Sequence, residues 1–324
     1  MTSEFVPPTL PPELEREIFE TNAILHHRMI PTLLLVAWRV HEWIEPYLYH
    51  LLQIPCIRSG PSYLDALVRI LDRRPSHPFP QVSRHLFLST VILGRAWRVD
   101  DADRILRACT GITDILLSHS QHPFEPLLPI LATVAQMRPT HLALLGDFLP
   151  DYRTLPQEFH FGVPLFESVT HLQLYVATAN GNYRVSHTLS RAWKHWSALA
   201  ALKTLTHLAV VPSEQNLANY ILSILPRLHA LVLYSERSDM GYTTSPDRDV
   251  LQDPRIFVES LFQLRPLWHS GARGGDDIWL RAEEFIAMKR SGDIEDYVYR
   301  WPKEEDKEEE ENVIFDRALS ALST

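Results

Sequence analysis

A short segment of the form Thr-His-Leu-x-Leu recurs in this sequence and constrains its fold more than any other feature. Leucine-type residues take alternate positions of each copy, as in a β-strand that buries one face. Aligned on the first buried residue, successive copies lie 29, 27, 30, 36 and 23 residues apart. The aligned positions are Leu86, Ile115, Leu142, Leu172, Leu208 and Leu231. These intervals leave room for one helix and two loops between successive strands.

The connectors between the segments have the apolar spacing of helices. Helical spacing is found over residues 62–71, 100–108, 123–137 and 214–225. The last two of these stretches end beside Pro139 and Pro226, and proline blocks the continuation of a helix. Strands and helices that alternate along a chain are joined by right-handed crossovers, which gives a parallel sheet.

The predicted fold class is therefore α/β, with a parallel sheet and helices on one side of it. Repeat periods of 20 to 50 residues are typical of solenoids, in which each unit packs on its neighbours. A doubly wound α/β domain is the alternative, and its strands would be apolar on both faces. Here many alternate strand positions hold His, Thr, Gln or Ala, so the sequence favours a solenoid with one open face of the sheet.

The open face is the predicted surface for recognising a partner. Residues at the recurring histidine position and two positions after it would project from this face. The candidate partner-binding residues are His85, Phe87, His141, His171, Gln173 and His207. In a parallel, in-register sheet the histidines would form a row with neighbours about 4.8 Å apart.

The row of histidines allows three interpretations. The simplest is a recurrent polar residue that flanks each strand. A pH-sensitive binding surface is the second, because histidine titrates near pH 6.5. A metal site is the third, but no acidic residue recurs beside the histidines except Asp114 in one strand. We expect neither a metal site nor a cofactor.

The N-terminal residues resemble an F-box. Residues 10–19 read LPPELEREIF, like the opening LPxELxxxI(F) helix of that module. Residues 33–43 read LLLVAWRVHEW and are followed by EPYLY, which is similar to the second half of an F-box. Short amphipathic helices of this kind leave an apolar face that the module itself does not cover.

In F-box proteins the uncovered face docks on the Skp adaptor of a cullin–RING ubiquitin ligase, and the downstream repeats hold a protein substrate. The resemblance therefore implies a Skp-type partner and a further protein partner. By motif, the implied adaptor contacts are Leu10, Pro11, Leu14, Ile18, Phe19, Leu35, Val36 and Trp38. The alternative is that these helices only cap one end of the sheet, since the terminal repeats of a solenoid need covering.

The strand segments are similar to leucine-rich repeats, whose strands read LxxLxL, although the asparagine or cysteine ladder of those repeats is absent. A family of F-box-like proteins from mushroom-forming fungi shows a similar layout, including a stretch like Gly271 to Gly275 with a helix after it. This likeness extends over about residues 7–292. Four regions follow from it: an F-box-like module (1–57), the repeats (58–270), a C-terminal capping helix region (271–302) and an acidic tail (303–324).

Charge and composition limit the classes of partner and the cellular compartment that we expect for this protein. The net charge is −9, of which −5 comes from the run KEEDKEEEE at 303–311, so the rest is nearly neutral. Without a basic stripe, nucleic acid is not an expected partner. The two cysteines cannot form a disulfide framework, and no apolar run reaches the length of a membrane span, so we expect a cytoplasmic or nuclear protein without a membrane partner.

Motifs of common enzyme classes are missing from the sequence. No G-x-S-x-G, G-x-x-x-x-G-K-[ST] or G-x-G-x-x-G occurs. The predicted function is a non-enzymatic interaction adaptor, a substrate-receptor-like subunit of a Skp–cullin–F-box ligase. A binding module without a ligase link is the second hypothesis, and a hydrolase on an α/β scaffold is the third.

Overall fold

A parallel sheet organises the chain. The computed structural model describes residues 10–54, 62–73, 79–89, 99–118, 128–145, 164–175, 197–211, 217–235 and 253–295. Within them, eight parallel strands lie side by side in the order of the sequence. The strands are β1 (Leu51–Ile54), β2 (His85–Ser89), β3 (Asp114–Ser118), β4 (His141–Leu145), β5 (His171–Tyr175), β6 (His207–Val210), β7 (Ala230–Ser235) and β8 (Ile256–Ser260).

The predicted alignment of the repeated segments is confirmed as the register of the sheet. Each first buried residue pairs with that of the next strand, so the leucine-type side chains form one continuous line. The line comprises Leu52, Leu86, Ile115, Leu142, Leu172, Leu208, Leu231 and Ile256. All eight are at most 1% exposed. Strands β1 and β8 were not predicted and extend the sheet at its two ends.

Helices from the connectors pack on the leucine face of the sheet, and together they form the main core. In chain order after the N-terminal helices α1 (Pro12–Leu25), α2 (Ile30–Leu33) and α3 (Trp38–Ile44), the connector helices are α4 (Ser62–Arg73), α5 (Phe79–Val82), α6 (Val99–Ala108), α7 (Leu128–Gln136) and α8 (Leu217–Ile224). Buried side chains such as Leu67, Ile105, Val134 and Ile221 contribute to the same apolar cluster as the strand leucines. The predicted helices at 62–71, 100–108, 123–137 and 214–225 are thus present, and residues 123–127 and 214–216 lie outside the described part of the chain.

Threonines at the strand starts explain why the repeated segment begins with Thr-His. The carbonyl oxygen of Thr113 accepts hydrogen bonds from the backbone nitrogens of Thr140 (2.8 Å) and His141 (3.0 Å). The same arrangement joins Thr140 to Thr170 and Thr170 to Thr206. The hydroxyl of each later threonine also lies 3.1 to 3.3 Å from the preceding threonine carbonyl. This threonine ladder fixes the register where successive strands begin.

The N-terminal module, residues 10–50, consists of α1, α2, α3 and two 3₁₀ turns, His27–Met29 and Glu45–Tyr49. It has a small apolar core of its own, formed by Ala23, Ile30, Val40 and Ile44, which are all fully buried. Strand β1 follows directly, so the boundary that we placed at residue 57 lies beyond the first strand of the sheet.

The end of the N-terminal module is joined to the sheet by backbone groups. The carbonyl oxygen of His50 accepts from the nitrogens of Arg84 (3.0 Å) and His85 (3.1 Å). The hydroxyl of Ser83 donates to the carbonyl oxygen of Tyr49 over 2.8 Å. The module therefore continues into the repeats without a separating linker.

Two C-terminal helices, α9 (Leu264–Gly271) and α10 (Ile278–Ser291), pack on the second face of the sheet. We call this pair the C-terminal cover. The cap of α10 is Asp277, whose Oδ1 accepts from the backbone nitrogen of Leu280 over 2.7 Å. A buried stripe of α10 comprises Trp279, Ala282, Phe285 and Ile286.

The expectation of an open sheet face was wrong, because the C-terminal cover packs on it. Small and apolar side chains of the strands, among them Ala143, Ala209 and Val232, share a buried cluster with the aromatic side chains of the cover. The residues expected to be accessible on this face are instead buried or half-buried: His85, Phe87, His141, His171, Gln173 and His207. The sequence separation between the cover and the strands concealed this packing.

Glycines close the turn between the two cover helices. Gly274 has a φ of +80°, in the left-handed region that a side chain strains. A Cβ at Gly271 would lie 2.4 Å from Cβ of Asp277, and one at Gly274 would lie 3.1 Å from Ile24 of the N-terminal module. The stretch Gly271 to Gly275 is thus a tight turn that passes close to α1. The acidic tail, 303–324, lies outside the described residues.

Candidate functional site

Helix α1 is apolar on two sides, and within the described residues only one of them is buried. Phe19 and Ala23 face the small core of the N-terminal module. Leu14 and Ile18, one helical turn apart, are 50% and 56% exposed. An open groove of about 420 Å³ follows this outer stripe and is lined also by Leu10 and Leu25 at its two ends.

A second group of exposed apolar residues lies at the start of α3. Leu35 is 86% exposed and Trp38 is 73% exposed, and Val36 between them is also open to solvent. The indole Nε1 of Trp38 donates to Glu42 over 2.9 Å, and its ring stacks on His41 at 5.4 Å between centroids. These contacts hold the tryptophan ring in a defined position on the surface.

A bidentate ion pair links the two helices that carry these residues. Arg39 in α3 donates from Nη2 and Nε to the two carboxylate oxygens of Glu15 in α1, over 2.7 and 3.1 Å. Both side chains reach solvent, so we assign the pair a geometric role more than an energetic one. It sets the position of α1 relative to α3.

The structure leaves most of the predicted adaptor contacts exposed. We call the exposed set the N-terminal apolar surface; it consists of Leu10, Pro11, Leu14, Ile18, Leu25, Leu35, Val36 and Trp38. Phe19 differs, because it is half-buried against the core of the module. Leu25 was missed by the sequence interpretation, although its position seven residues after Ile18 places it on the same helical stripe.

The histidines of β4, β5 and β6 form a stack beneath the C-terminal cover. Ring centroids of His141 and His171 are 4.1 Å apart, as are those of His171 and His207, and the rings are nearly parallel. Trp279 of α10 meets His171 and His207 edge-on, at 5.2 and 5.7 Å. The nitrogen Nδ1 of each histidine lies 2.8 to 3.0 Å from the hydroxyl of the threonine before it.

Burial keeps this histidine stack neutral. Burial, together with the neighbouring imidazoles of His141 and His207, lowers the pKa of His171 to about 2. Burial also lowers the pKa of His141 and of His207; Glu283, whose carboxylate lies 3.1 Å from Nε2 of His207, opposes the shift of His207. Within the described residues no group of three or more potential ligands could hold a metal ion. The stack therefore acts as a packing surface for the cover.

Polar contacts at the edge of the stack also attach the cover to the sheet. Asp114 of β3 accepts from Nε1 of Trp268 (3.0 Å) and lies 3.1 Å from Nδ1 of His85. Arg265 of α9 donates to the hydroxyl of Ser118 over 2.8 Å. The predicted partner-binding residues of the sheet are thus brought together, but their partner is the C-terminal cover of the same chain.

Among the described residues, none of the helices combines the length and apolar character that crossing a bilayer requires.

Comparison with protein-family models, with curated proteins and with solved structures found no match for this chain. The N-terminal apolar surface is the strongest candidate for a functional site, because its large apolar side chains lie in solvent while the sheet face is covered.

Proposed function

We propose that this chain is a non-enzymatic interaction adaptor whose N-terminal module docks on a Skp-type subunit of a cullin–RING ubiquitin ligase. The observation that carries the proposal is the exposure of the F-box-like positions, above all Leu35 and Trp38. A large apolar side chain that is exposed lowers the stability of the free protein only a little. Its burial by a partner contributes favourable free energy of binding. Tryptophan is also enriched among residues that dominate binding energies.

The remainder of the chain fits the same proposal. We regard the strand–helix units as irregular leucine-rich repeats in which the threonine ladder replaces the usual asparagine ladder. A second protein partner would bind away from the sheet face, because the C-terminal cover occupies that face. A ligase subunit of this kind works in the cytoplasm or nucleus, which is where we place the protein.

A second function is favoured by the contacts of the module with the rest of the chain. Tyr49 and His50 accept hydrogen bonds from Ser83, Arg84 and His85 at the start of β2, and Gly274 of the cover turn approaches Ile24. These contacts suit a cap that closes the first end of the sheet. In this case the protein would be a binding module without a ligase link.

Capture of the Skp-type adaptor separates the two functions. The full chain is mixed with purified adaptor, and the bound fraction is measured by co-purification. Replacing Leu14 and Trp38 by aspartate should abolish capture, because each carboxylate would be placed in an apolar interface. Circular dichroism and thermal unfolding should remain close to those of the unmodified chain, since both positions are at least half exposed.

A matched control uses exposed apolar residues of the C-terminal region. Phe262 is 68% exposed and Leu280 is 44% exposed. Replacing both by aspartate should leave capture unchanged. If the unmodified chain fails to bind the adaptor, the ligase proposal is overturned and the capping function is retained.

A further inference from the structure

The C-terminal cover leaves a small cavity of mixed polar and apolar lining against the sheet. It is about 20 Å³ in volume and lies between strands β3 to β5 and the cover helices. Its floor is Ala143, whose neighbours in the same row across the sheet are the larger Leu116 and Gln173. The single methyl group of Ala143 leaves the space that its neighbours would fill.

One buried polar atom at this cavity has no partner within the described chain. The carbonyl oxygen Oε1 of Gln173 makes no hydrogen bond, and the residue is only 3% exposed. A buried amide oxygen without a donor is costly, and most such atoms in folded proteins are paired with protein or with ordered water. Gln173 therefore points to a missing donor.

The other polar residues around the cavity do not supply that donor. Asp114 accepts at both carboxylate oxygens, and Asp277 accepts at Oδ1 from the backbone of α10. His141 has its Nδ1 beside the hydroxyl of Thr140. As acceptors the lining offers the amide oxygen of Gln173 and the carboxylates of Asp114 and Asp277, and the unpartnered oxygen of Gln173 fits a small ligand that donates hydrogen bonds.

We propose that this cavity binds one ordered water molecule, which donates one hydrogen bond to Oε1 of Gln173 and a second to a carboxylate of the lining. A cavity needs only about 10–15 Å³ to hold a water molecule with two to four polar partners, so the available volume fits one. Asp114 already has two donors, which leaves little uncompensated charge for a cation. The bound water links β5 to the C-terminal cover and completes their contact.

Two measurements on the full chain test the water site. A high-resolution crystal structure should show one density peak of water weight within hydrogen-bond distance of Gln173 Oε1. Relaxation dispersion of the water oxygen nucleus in solution should detect a corresponding long-lived internal water. An empty cavity in well-resolved density would overturn the proposal.

Substitutions identify the water that the relaxation signal reports. Gln173→Leu removes the acceptor and should lower the number of long-lived waters by one, whereas Gln53→Leu, in the same row of the sheet at β1, should leave it unchanged. Ala143→Ser places a hydroxyl in the cavity and should also displace the water, so a failure of Gln173→Leu to fold does not end the test. An unchanged signal in both cavity variants contradicts the assignment.

Exchange of the salt distinguishes the proposed water molecule from a monovalent cation of similar size. Crystals soaked in rubidium salt should show no anomalous peak in the cavity, and ammonium at equal ionic strength should not raise the melting temperature relative to sodium. An anomalous peak, or an ammonium-specific rise that Gln173→Leu removes, would replace the water by a monovalent cation and overturn the proposal.

Discussion

Trp268 in α9 donates a hydrogen bond from its indole nitrogen to Asp114 at the start of β3, although 154 positions separate the two residues. Asp114 occupies the place that histidine takes in four other strands, and its second oxygen lies beside His85. Because a carboxylate has two oxygens, Asp114 can accept from an imidazole and an indole at the same time. This contact anchors the C-terminal cover to the sheet.

Replacing Trp268 by phenylalanine tests the anchor. The substitution keeps an aromatic ring in the cluster but removes the indole donor, so Asp114 loses one of its two partners. We expect the free energy of unfolding to fall by about 1 to 3 kcal/mol, as for other buried hydrogen bonds to charged groups. Urea titration measures the change, and the exposed Phe262→Ala should alter stability by less than about 0.5 kcal/mol. Equal effects of the two substitutions would contradict the anchoring role.

Stability should fall as the pH drops below about 6.5, because the histidine stack is held neutral in the folded state. Burial lowers the pKa of His171 to about 2, so below pH 6.5 the unfolded chain binds a proton that the folded chain does not. His171 can lower the free energy of unfolding by up to about 1.4 kcal/mol for each pH unit below 6.5. The actual loss is smaller, because the side chain is partly exposed. Its contribution is fully present above pH 7.

The variant His171→Gln isolates this effect. Urea titrations at several pH values between 6 and 4.5 give the slope of the unfolding free energy against pH. This slope should be shallower for the variant than for the unmodified chain, by an amount that corresponds to at most one proton. The exposed His26→Gln serves as the control and should leave the slope unchanged. Parallel curves for all three proteins would show that the stack does not exclude protons.

Two leucines with opposite exposure distinguish the core from the docking surface. Leu172 is fully buried in the line of strand leucines, so Leu172→Ala should lower the free energy of unfolding by about 2 to 5 kcal/mol. Leu35 is 86% exposed, and Leu35→Ala should change stability by less than about 0.5 kcal/mol while weakening capture of the adaptor. A large stability loss for Leu35→Ala would show that its side chain is covered within the chain.

The cap of α10 gives a fourth prediction. Asp277 accepts from the backbone of Leu280 at the first turn of α10, and Asp277→Ala should lower stability by about 1 kcal/mol. Asp277→Asn keeps a side-chain oxygen at this position and should retain most of the stability. Thermal unfolding of the two variants measures the difference, and equal losses would mean that the charge of Asp277 matters more than its acceptor.

The register of the sheet could be predicted because it depends on a local pattern. Alternating leucine-type residues define the buried face of each strand, and their alignment along the sequence gave the pairing of β2 to β7. Strands β1 and β8 were not included in the predicted series. Leu51 to Ile54 follows the N-terminal helices directly, and Ile256 to Ser260 begins after an arginine.

The cover could not be placed because its contacts are long-range. The sequence predicted a C-terminal capping helix region over 271–302, which contains α10, but not the surface on which this helix packs. A signal was present in the strands: Leu116, Ala143 and Val232 are apolar at positions that were assigned to an open face. Small side chains there accommodate a helix, which would have indicated packing on both faces of the sheet.

The threonine ladder joins β3 to β6 where the strands begin, and beyond it neighbouring strands pair along their length. Successive units are 23 to 36 residues long between aligned positions, and this variation in connector length leaves the pairing of the strands unchanged. Connectors are therefore free to grow or shrink over evolutionary time, and whole units could be duplicated without disturbing those already in place. New recognition loops would be acquired most readily in these connectors.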